Sequence, residues 1–279
     1  DVTLDDVFPE GIVTLKFAAE ARTLLVGTKS GHLLTLREDG TQVCRERGFD
    51  GLRMLAWCET GKFGAAALQG GELVCFDEQL KTLWKVKFTG EVVGLGISPF
   101  GSHIAASTES SRVHIVTTDK REIAKFETTR PLEFIQFLQD SPKLIGAAEF
   151  GHLCCHTLDG REEWNERIAN NVGNMVVSGC GKRILLAAFN HGIQVLNENG
   201  KQKGAFMIDG IPNLVSASSS RKRIAATTLE HRLYWLKYEG ELVWACDLSA
   251  DPVISMAVGP LGNRLFIATT SGRLLQLVW

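Results

Sequence analysis

The chain has 279 residues, of which 44% are hydrophobic and 22% are charged, and its formal net charge is −2. This composition is typical of a globular protein that is long enough to bury a sizeable core. The near-neutral balance lacks the basic stripe of an electrostatic nucleic-acid binder. No apolar run approaches the ~20 residues that a membrane-spanning helix needs. We therefore expect neither nucleic acid nor a membrane as a partner.

The cysteines favour a reducing compartment. There are seven of them, an odd number, and no C-x-x-C spacing or N-x-[ST] glycosylation site occurs. Most lie within apolar runs, where a free thiol behaves as a small hydrophobic group. The sequence therefore predicts a cytoplasmic protein.

One sequence pattern recurs along the whole chain. It is seen in Leu25–Leu36, Ala65–Phe76, Ile145–His156 and Ile267–Leu277. The seven copies can be aligned at the turn residues Gly31, Gly71, Ser111, Gly151, Gly192, His231 and Gly272, which are separated by steps of 40, 40, 40, 41, 39 and 41 residues. Because seven copies account for every residue, we predict one domain over residues 1–279.

Each copy contains the signals of four short strands. In the third copy an apolar run, Val92–Ile97, is followed by the turn Ser98–Gly101 and by the small apolar segment Ile104–Ser107. Tight-turn pairs such as Asp39-Gly40 and Asp159-Gly160 then favour hairpins. Four strands in ~40 residues are typical of a propeller blade. We predict an all-β, seven-bladed β-propeller with four antiparallel strands per blade, and blades starting near residues 11, 51, 90, 130, 171, 210 and 251.

The last copy has only three strands, whereas about ten residues precede the first copy. Trp164 and Trp244 each lie seven residues before the start of the next copy, and Leu4 lies seven residues before Gly11. We therefore predict that residues 2–8 supply the fourth strand of the last blade and close the ring, which removes two exposed sheet edges.

The copies resemble WD-repeat propellers. The segments Asp159–Trp164 and Glu239–Trp244 also resemble the repeats of quinoprotein (PQQ-like) propellers. Two departures are visible: the typical Gly-His and Trp-Asp dipeptides of WD repeats are missing, and quinoprotein enzymes have eight blades. The resemblance implies an architecture and carries over no catalytic residue and no cofactor.

In propellers of this type, the fourth-to-first and second-to-third strand connections share one face. Five of the seven fourth-to-first connections carry an acidic residue, and this pattern predicts a ring of negative charge at the channel mouth that would attract a basic protein or peptide. Alternatively, Asp and Glu are there because they suit turns. The residues predicted to form this partner-binding face are Glu10, Asp50, Glu91, Arg130, Asp209, Asp251, Arg112, Glu149, His191 and His231.

The histidines and the adjacent cysteines allow other hypotheses. His152, His191 and His231 occur at near-equivalent turns and could ligate zinc, but loops of neighbouring blades diverge, so we predict no metal site. Cys154 and Cys155 fall inside a strand, and we predict two packed thiols rather than a disulfide.

The sequence predicts only a general class of function. No catalytic motif is present, and we expect a protein-interaction scaffold that is monomeric in isolation and holds no cofactor. Two alternatives remain open. One is a small-molecule-binding protein, or a lyase- or hydrolase-type enzyme, with its site at the channel mouth formed by residues such as His191, His231, Glu149 and Arg130. The other is a regulatory domain of a longer protein.

Overall fold

The computed structural model describes all 279 residues and contains 28 strands and no helix. The strands form seven four-stranded antiparallel sheets, the blades, arranged in a ring. The predicted seven-bladed, all-β propeller is thus confirmed. No helix is long and apolar enough to cross a membrane.

The strands follow one another regularly from blade to blade. Blade 1 contains β2 (Ile12–Ala18), β3 (Thr23–Thr28), β4 (His32–Arg37) and β5 (Gln42–Arg47). Blade 2 contains β6 (Leu52–Trp57), β7 (Phe63–Leu68), β8 (Glu72–Asp77) and β9 (Thr82–Lys87). Blade 3 contains β10 (Val92–Ile97), β11 (His103–Thr108), β12 (Arg112–Thr117) and β13 (Glu122–Glu127). Blade 4 contains β14 (Phe134–Phe137), β15 (Lys143–Ala148), β16 (His152–Thr157) and β17 (Glu162–Arg167).

The remaining three blades include the closing one. Blade 5 contains β18 (Val172–Val177), β19 (Arg183–Ala188), β20 (Gly192–Asn197) and β21 (Gln202–Phe206). Blade 6 contains β22 (Pro212–Ala217), β23 (Arg223–Thr228), β24 (Arg232–Lys237) and β25 (Leu242–Asp247). Blade 7 contains β26 (Val253–Val258), β27 (Arg264–Thr269), β28 (Arg273–Val278) and, as its outermost strand, β1 (Val2–Val7).

The ring is closed by the pairing of β1 with β28. The two strands run antiparallel, with Val2 opposite Leu277 and Val7 opposite Arg273. The side chain of Arg273 also donates two hydrogen bonds to the carboxylate of Asp5, from Nε at 2.6 Å and from Nη2 at 2.5 Å. The closing role predicted for residues 2–8 is therefore confirmed.

The hydrophobic core lies between blades. Leu25 and Leu33 of blade 1 pack in one cluster with Leu55, Trp57 and Phe76 of blade 2. The second strand of a blade is enclosed on both faces, which explains its small apolar residues and the burial of all but the first residue of β7. Because each blade buries both faces against its neighbours, the ring as a whole is the unit that provides the core.

The hairpin turns follow the sequence pattern. Gly40 and Gly240 have φ values of 86° and 92°, a region that residues with a side chain rarely adopt. Each glycine N–H donates to the carbonyl three residues earlier, Arg37 and Lys237 respectively. These turns place the polar fourth strand on the outer rim and leave the first strand of each blade facing the centre.

Candidate interaction face and central channel

We call the upper face the side of the ring that carries two sets of loops. The first set connects the fourth strand of one blade to the first strand of the next, over residues 8–11, 48–51, 88–91, 128–133, 168–171, 207–211 and 248–252. The second set connects the second and third strands of each blade, over residues 29–31, 69–71, 109–111, 149–151, 189–191, 229–231 and 270–272. We call the opposite side the lower face.

Hydrogen bonds join the two sets of loops in every blade. The N–H of Lys29 donates to the carbonyl of Gly11 at 2.9 Å, and the same bond recurs in blades 2, 3, 5, 6 and 7. In blade 4 the carboxylate of Glu133 replaces the carbonyl and accepts from the N–H of Glu149 at 2.8 Å. The predicted residues on these loops therefore do lie on one face.

Most of the predicted acidic residues are engaged with their own surroundings. Glu10 forms an ion pair with Arg45 at 3.2 Å, and Asp209 forms one with Arg232. Glu91 accepts from the backbone N–H of Gly70 at 2.7 Å and from the side chain of Arg53 at 2.7 Å. These two bonds, the one from Gly70 first, lower the pKa of Glu91. The negative charge of the ring is thus partly neutralised where it lies.

Asp251 and Asp50 represent the two extremes among these carboxylates. Asp251 accepts from the hydroxyls of Thr269 and Ser271, both at 2.7 Å, and from the N–H of Ser271 at 3.0 Å. Burial alone would raise the pKa of Asp251, but these hydrogen bonds lower it. Asp50, in contrast, is exposed, and its side chain forms no ion pair or hydrogen bond. Turn stabilisation accounts for Asp251, whereas nothing in the fold engages the carboxylate of Asp50.

The other predicted residues are spread around the face. Arg112 forms an ion pair with Glu127 at 3.2 Å. The ring of His191 lies 2.9 Å from the side-chain amide of Asn170. Arg130 and His231 are exposed, and Glu149 is half-buried. No group of three or more His, Cys, Asp or Glu side chains in the chain is arranged to hold a metal ion.

The three histidines of the zinc hypothesis differ in their surroundings. His152 is only 8% exposed, and burial lowers its pKa. It is the first residue of β16, whereas His191 and His231 lie in exposed turns of blades 5 and 6. The recurrence of histidine at the turns therefore does not bring the three rings together.

The two adjacent thiols are free, as predicted. Cys154 packs with Val113 and Leu132 toward blade 3, and Cys155 packs on the other side of the sheet, toward blade 5. Burial raises the pKa of Cys154 to about 12 and that of Cys155 to about 11. Both thiols are thus protonated and unreactive near neutral pH.

The upper face also carries a group of apolar side chains that sequence reasoning missed. We call Phe150, Phe189, Met207 and Leu229 the apolar arc. Phe150, Met207 and Leu229 are 57%, 75% and 43% exposed, and Phe189 is half-buried. All four lie in the upper-face loops of blades 4, 5 and 6.

Equivalent positions in the other blades are mostly polar. In most other blades, residues at the Met207 position are charged, namely Arg47, Lys87, Glu127, Arg167 and Asp247. Those at the Leu229 and Phe189 position in the other five blades are Lys29, Gln69, Glu109, Glu149 and Thr270. The fold therefore does not require apolar residues there. Aligning the copies position by position would have revealed the arc.

The central channel is lined by the first strands of all seven blades and has a volume of about 500 Å³. Lys16 on β2 is exposed to this channel, and the protein around it lowers its pKa by desolvation. Two carboxylates line the same channel, Glu133 near the upper face and Glu59 near the lower face. Desolvation is the main cause that raises the pKa of both.

Neither a protein-family model nor a curated protein matches the chain.

Proposed function

We propose that the protein is an interaction module that binds another protein or a peptide on the upper face, over blades 4 to 6. We also propose that its repeats belong to the WD-like and quinoprotein-like propeller superfamily, and that it works in the cytoplasm. The seven free cysteines support a reducing compartment.

The apolar arc is the observation that carries this proposal. Exposed large apolar side chains grouped on one face are typical of protein-interaction sites. Met207 is the most exposed large apolar residue of the chain, at 75%. Since charged residues occupy the equivalent positions of other blades that have the same structure, the needs of folding do not account for the arc.

The charges around the arc favour a partner with basic groups beside its apolar contact residues. The carboxylate of Asp209 is 81% exposed although it is paired with Arg232, and Glu149 lies beside Phe150 in the same turn. Half of the predicted residues belong to the upper-face loops of blades 4 to 6, as the arc does: Arg130, Glu149, His191, Asp209 and His231. Such a mixed rim around an apolar centre is the usual anatomy of an interface.

The test uses residues that the fold already accepts at equivalent positions. In the triple variant Phe150→Ser, Met207→Lys, Leu229→Lys, each new residue is the one that blade 3, 2 or 1 has there. The control is Phe100→Ser with Leu261→Ser, which removes exposed apolar residues from the lower face. Partners are captured from cells by crosslinking in place and quantified by mass spectrometry.

We expect the triple variant to lose partners that the parent and the control both retain, by roughly tenfold or more, since central contacts of an interface contribute over ~1.4 kcal/mol each. Equal recovery by the triple variant would refute the site. Unchanged thermal unfolding shows that the variant is folded. Charge reversal of Asp50, Glu91 and Asp209 tests separately whether the partner is basic: once thermal unfolding shows that this variant is folded, unchanged capture of the partner would refute the basic character.

A further inference from the structure

Lys16 breaks the pattern of the repeat at one position in the channel wall. The residues at the equivalent position of the other six first strands are uncharged, namely Ala56, Gly96, Gln136, Val176, Ser216 and Ala257. The propeller architecture does not explain this lysine, because the other six copies have an uncharged residue at the same position.

Polar residues at this position normally bind the next blade. Gln136 bonds to both backbone groups of Val177, and the hydroxyl of Ser216 accepts from the N–H of Val258 at 3.0 Å. Lys16 forms no hydrogen bond with its side chain and no ion pair. Its ammonium is therefore not used to join blades.

The carboxylates of the channel are occupied elsewhere. Glu59 accepts from the N–H of Ala19 at 2.8 Å, and Glu133 accepts from the N–H of Glu149 at 2.8 Å. Arg53, the other cation of the channel wall, is paired with Glu91 at 2.7 Å. Lys16 is thus the one cation of the channel wall without a partner.

A charged group on the wall of a narrow channel is normally paired, because the channel walls replace part of the water that would solvate it. We propose that Lys16 is the anchor of a ligand site in the central channel and that it binds the carboxylate or phosphate group of a small organic anion. This inference goes beyond docking on the upper face and does not depend on it.

The rest of the channel wall indicates the remainder of the ligand. Phe17, Met54, Phe134 and Leu214 contribute partly exposed apolar surface beside the polar side chain of Asn174. A volume of about 500 Å³ is within the range of small-molecule sites. The site therefore suits an anion with an apolar body, and it is too small for a folded partner.

The test uses benzoate and phenyl phosphate as probes, with benzyl alcohol as the uncharged counterpart. Binding is followed by NMR of the probe in the parent and in Lys16→Met, Lys16→Arg and Lys125→Met, and, in the two proteins that keep Lys16, also by the ¹³C signal of its labelled ε carbon. Lys125 is an exposed lysine on β13, so its substitution controls for loss of one positive charge. Thermal unfolding confirms that each variant is folded, which we expect because six blades lack this lysine.

We expect a saturable shift of the Lys16 signal with a dissociation constant of about 1 mM for at least one anion. Affinity should fall at least tenfold in Lys16→Met and remain in Lys16→Arg and Lys125→Met, and benzyl alcohol should bind at least tenfold more weakly. Preference for one probe distinguishes a carboxylate from a phosphate ligand. Equal binding by Lys16→Met, or no saturable shift with either anion up to ~50 mM, would overturn the site.

Discussion

The side-chain amide of Gln136 in blade 4 bonds to both backbone groups of Val177 in blade 5. Its Nε2 donates to the carbonyl at 3.2 Å, and its Oε1 accepts from the N–H at 2.8 Å. The first strand of a blade is the inner edge strand of its sheet. The backbone groups on its free edge therefore have no strand partner. Gln136 supplies that missing partner and ties two blades together beside the channel.

Replacing Gln136 by Ala should therefore reduce the free energy of unfolding by roughly 1–2 kcal/mol, because two hydrogen bonds to the backbone are lost. Urea unfolding measures this change. Gln139→Ala is the matched control, since Gln139 is exposed and forms no side-chain hydrogen bond. Equal stability of the two variants would show that channel water replaces the amide at no cost.

Blades 3 and 4 approach each other closely at Gly94. A Cβ atom at this position would lie 1.9 Å from the backbone carbonyl oxygen of Leu132, which cannot move without shifting blade 4. We expect Gly94→Ala to destabilise the protein by more than ~3 kcal/mol in chemical unfolding. Gly204→Ala is the control on an outer strand, where a Cβ meets nothing within 4 Å, and it should be neutral or slightly stabilising. Similar stabilities of the two variants would contradict this account.

Deleting residues 1–8 should open the ring. The deletion removes the pairing with β28 and the packing of Leu4 and Phe8 against the core between blades 7 and 1. We expect a loss of at least about 3 kcal/mol and association at the exposed edge of β28, seen by light scattering. The double variant Val2→Ser, Val7→Ser removes only exposed side chains and should behave like the parent. A deletion protein that melts like the parent would rule out closure by β1.

Asp251 should make stability depend on pH. Its folded-state pKa lies below the ordinary 3.8, so its contribution is complete above that value and is lost as pH falls through the folded-state pKa. Asp251→Asn should therefore be less stable by about 1 kcal/mol at neutral pH and should approach the parent near ~pH 2. Asp50→Asn, which removes an exposed carboxylate without partners, is the control and should unfold like the parent at neutral pH. A constant difference for Asp251→Asn would exclude the ionised carboxylate as the cause.

The fold was accessible from sequence because its signals are local and repeated. The spacing of Gly31, Gly71 and Gly151 and the Asp-Gly pairs predict the blades, and the offset of Leu4 predicts the closing strand. The positions of the acidic residues on the upper face follow from the same repeat.

The chemistry of the site was less accessible, because it depends on side chains from different copies. Arg53 neutralises Glu91 across 38 residues, and a charge count per loop does not include that contact. Strand alternation likewise places Lys16 toward the next blade, as it does Gln136, and only the structure distinguishes a side chain bonded to that blade from one left facing the channel.

The β1–β28 pairing has a consequence for how the protein is made. Val2 and Leu277 are paired across nearly the whole propeller, so β1 has no strand partner until β28, the last strand of the propeller, has been synthesised. At typical translation rates this delay is on the order of tens of seconds. During that interval the hairpins of the earlier blades can form locally. The ring is still open, and it exposes unpaired strand edges at both of its ends. We expect these unpaired strand edges to favour association of nascent proteins until β1 and β28 pair.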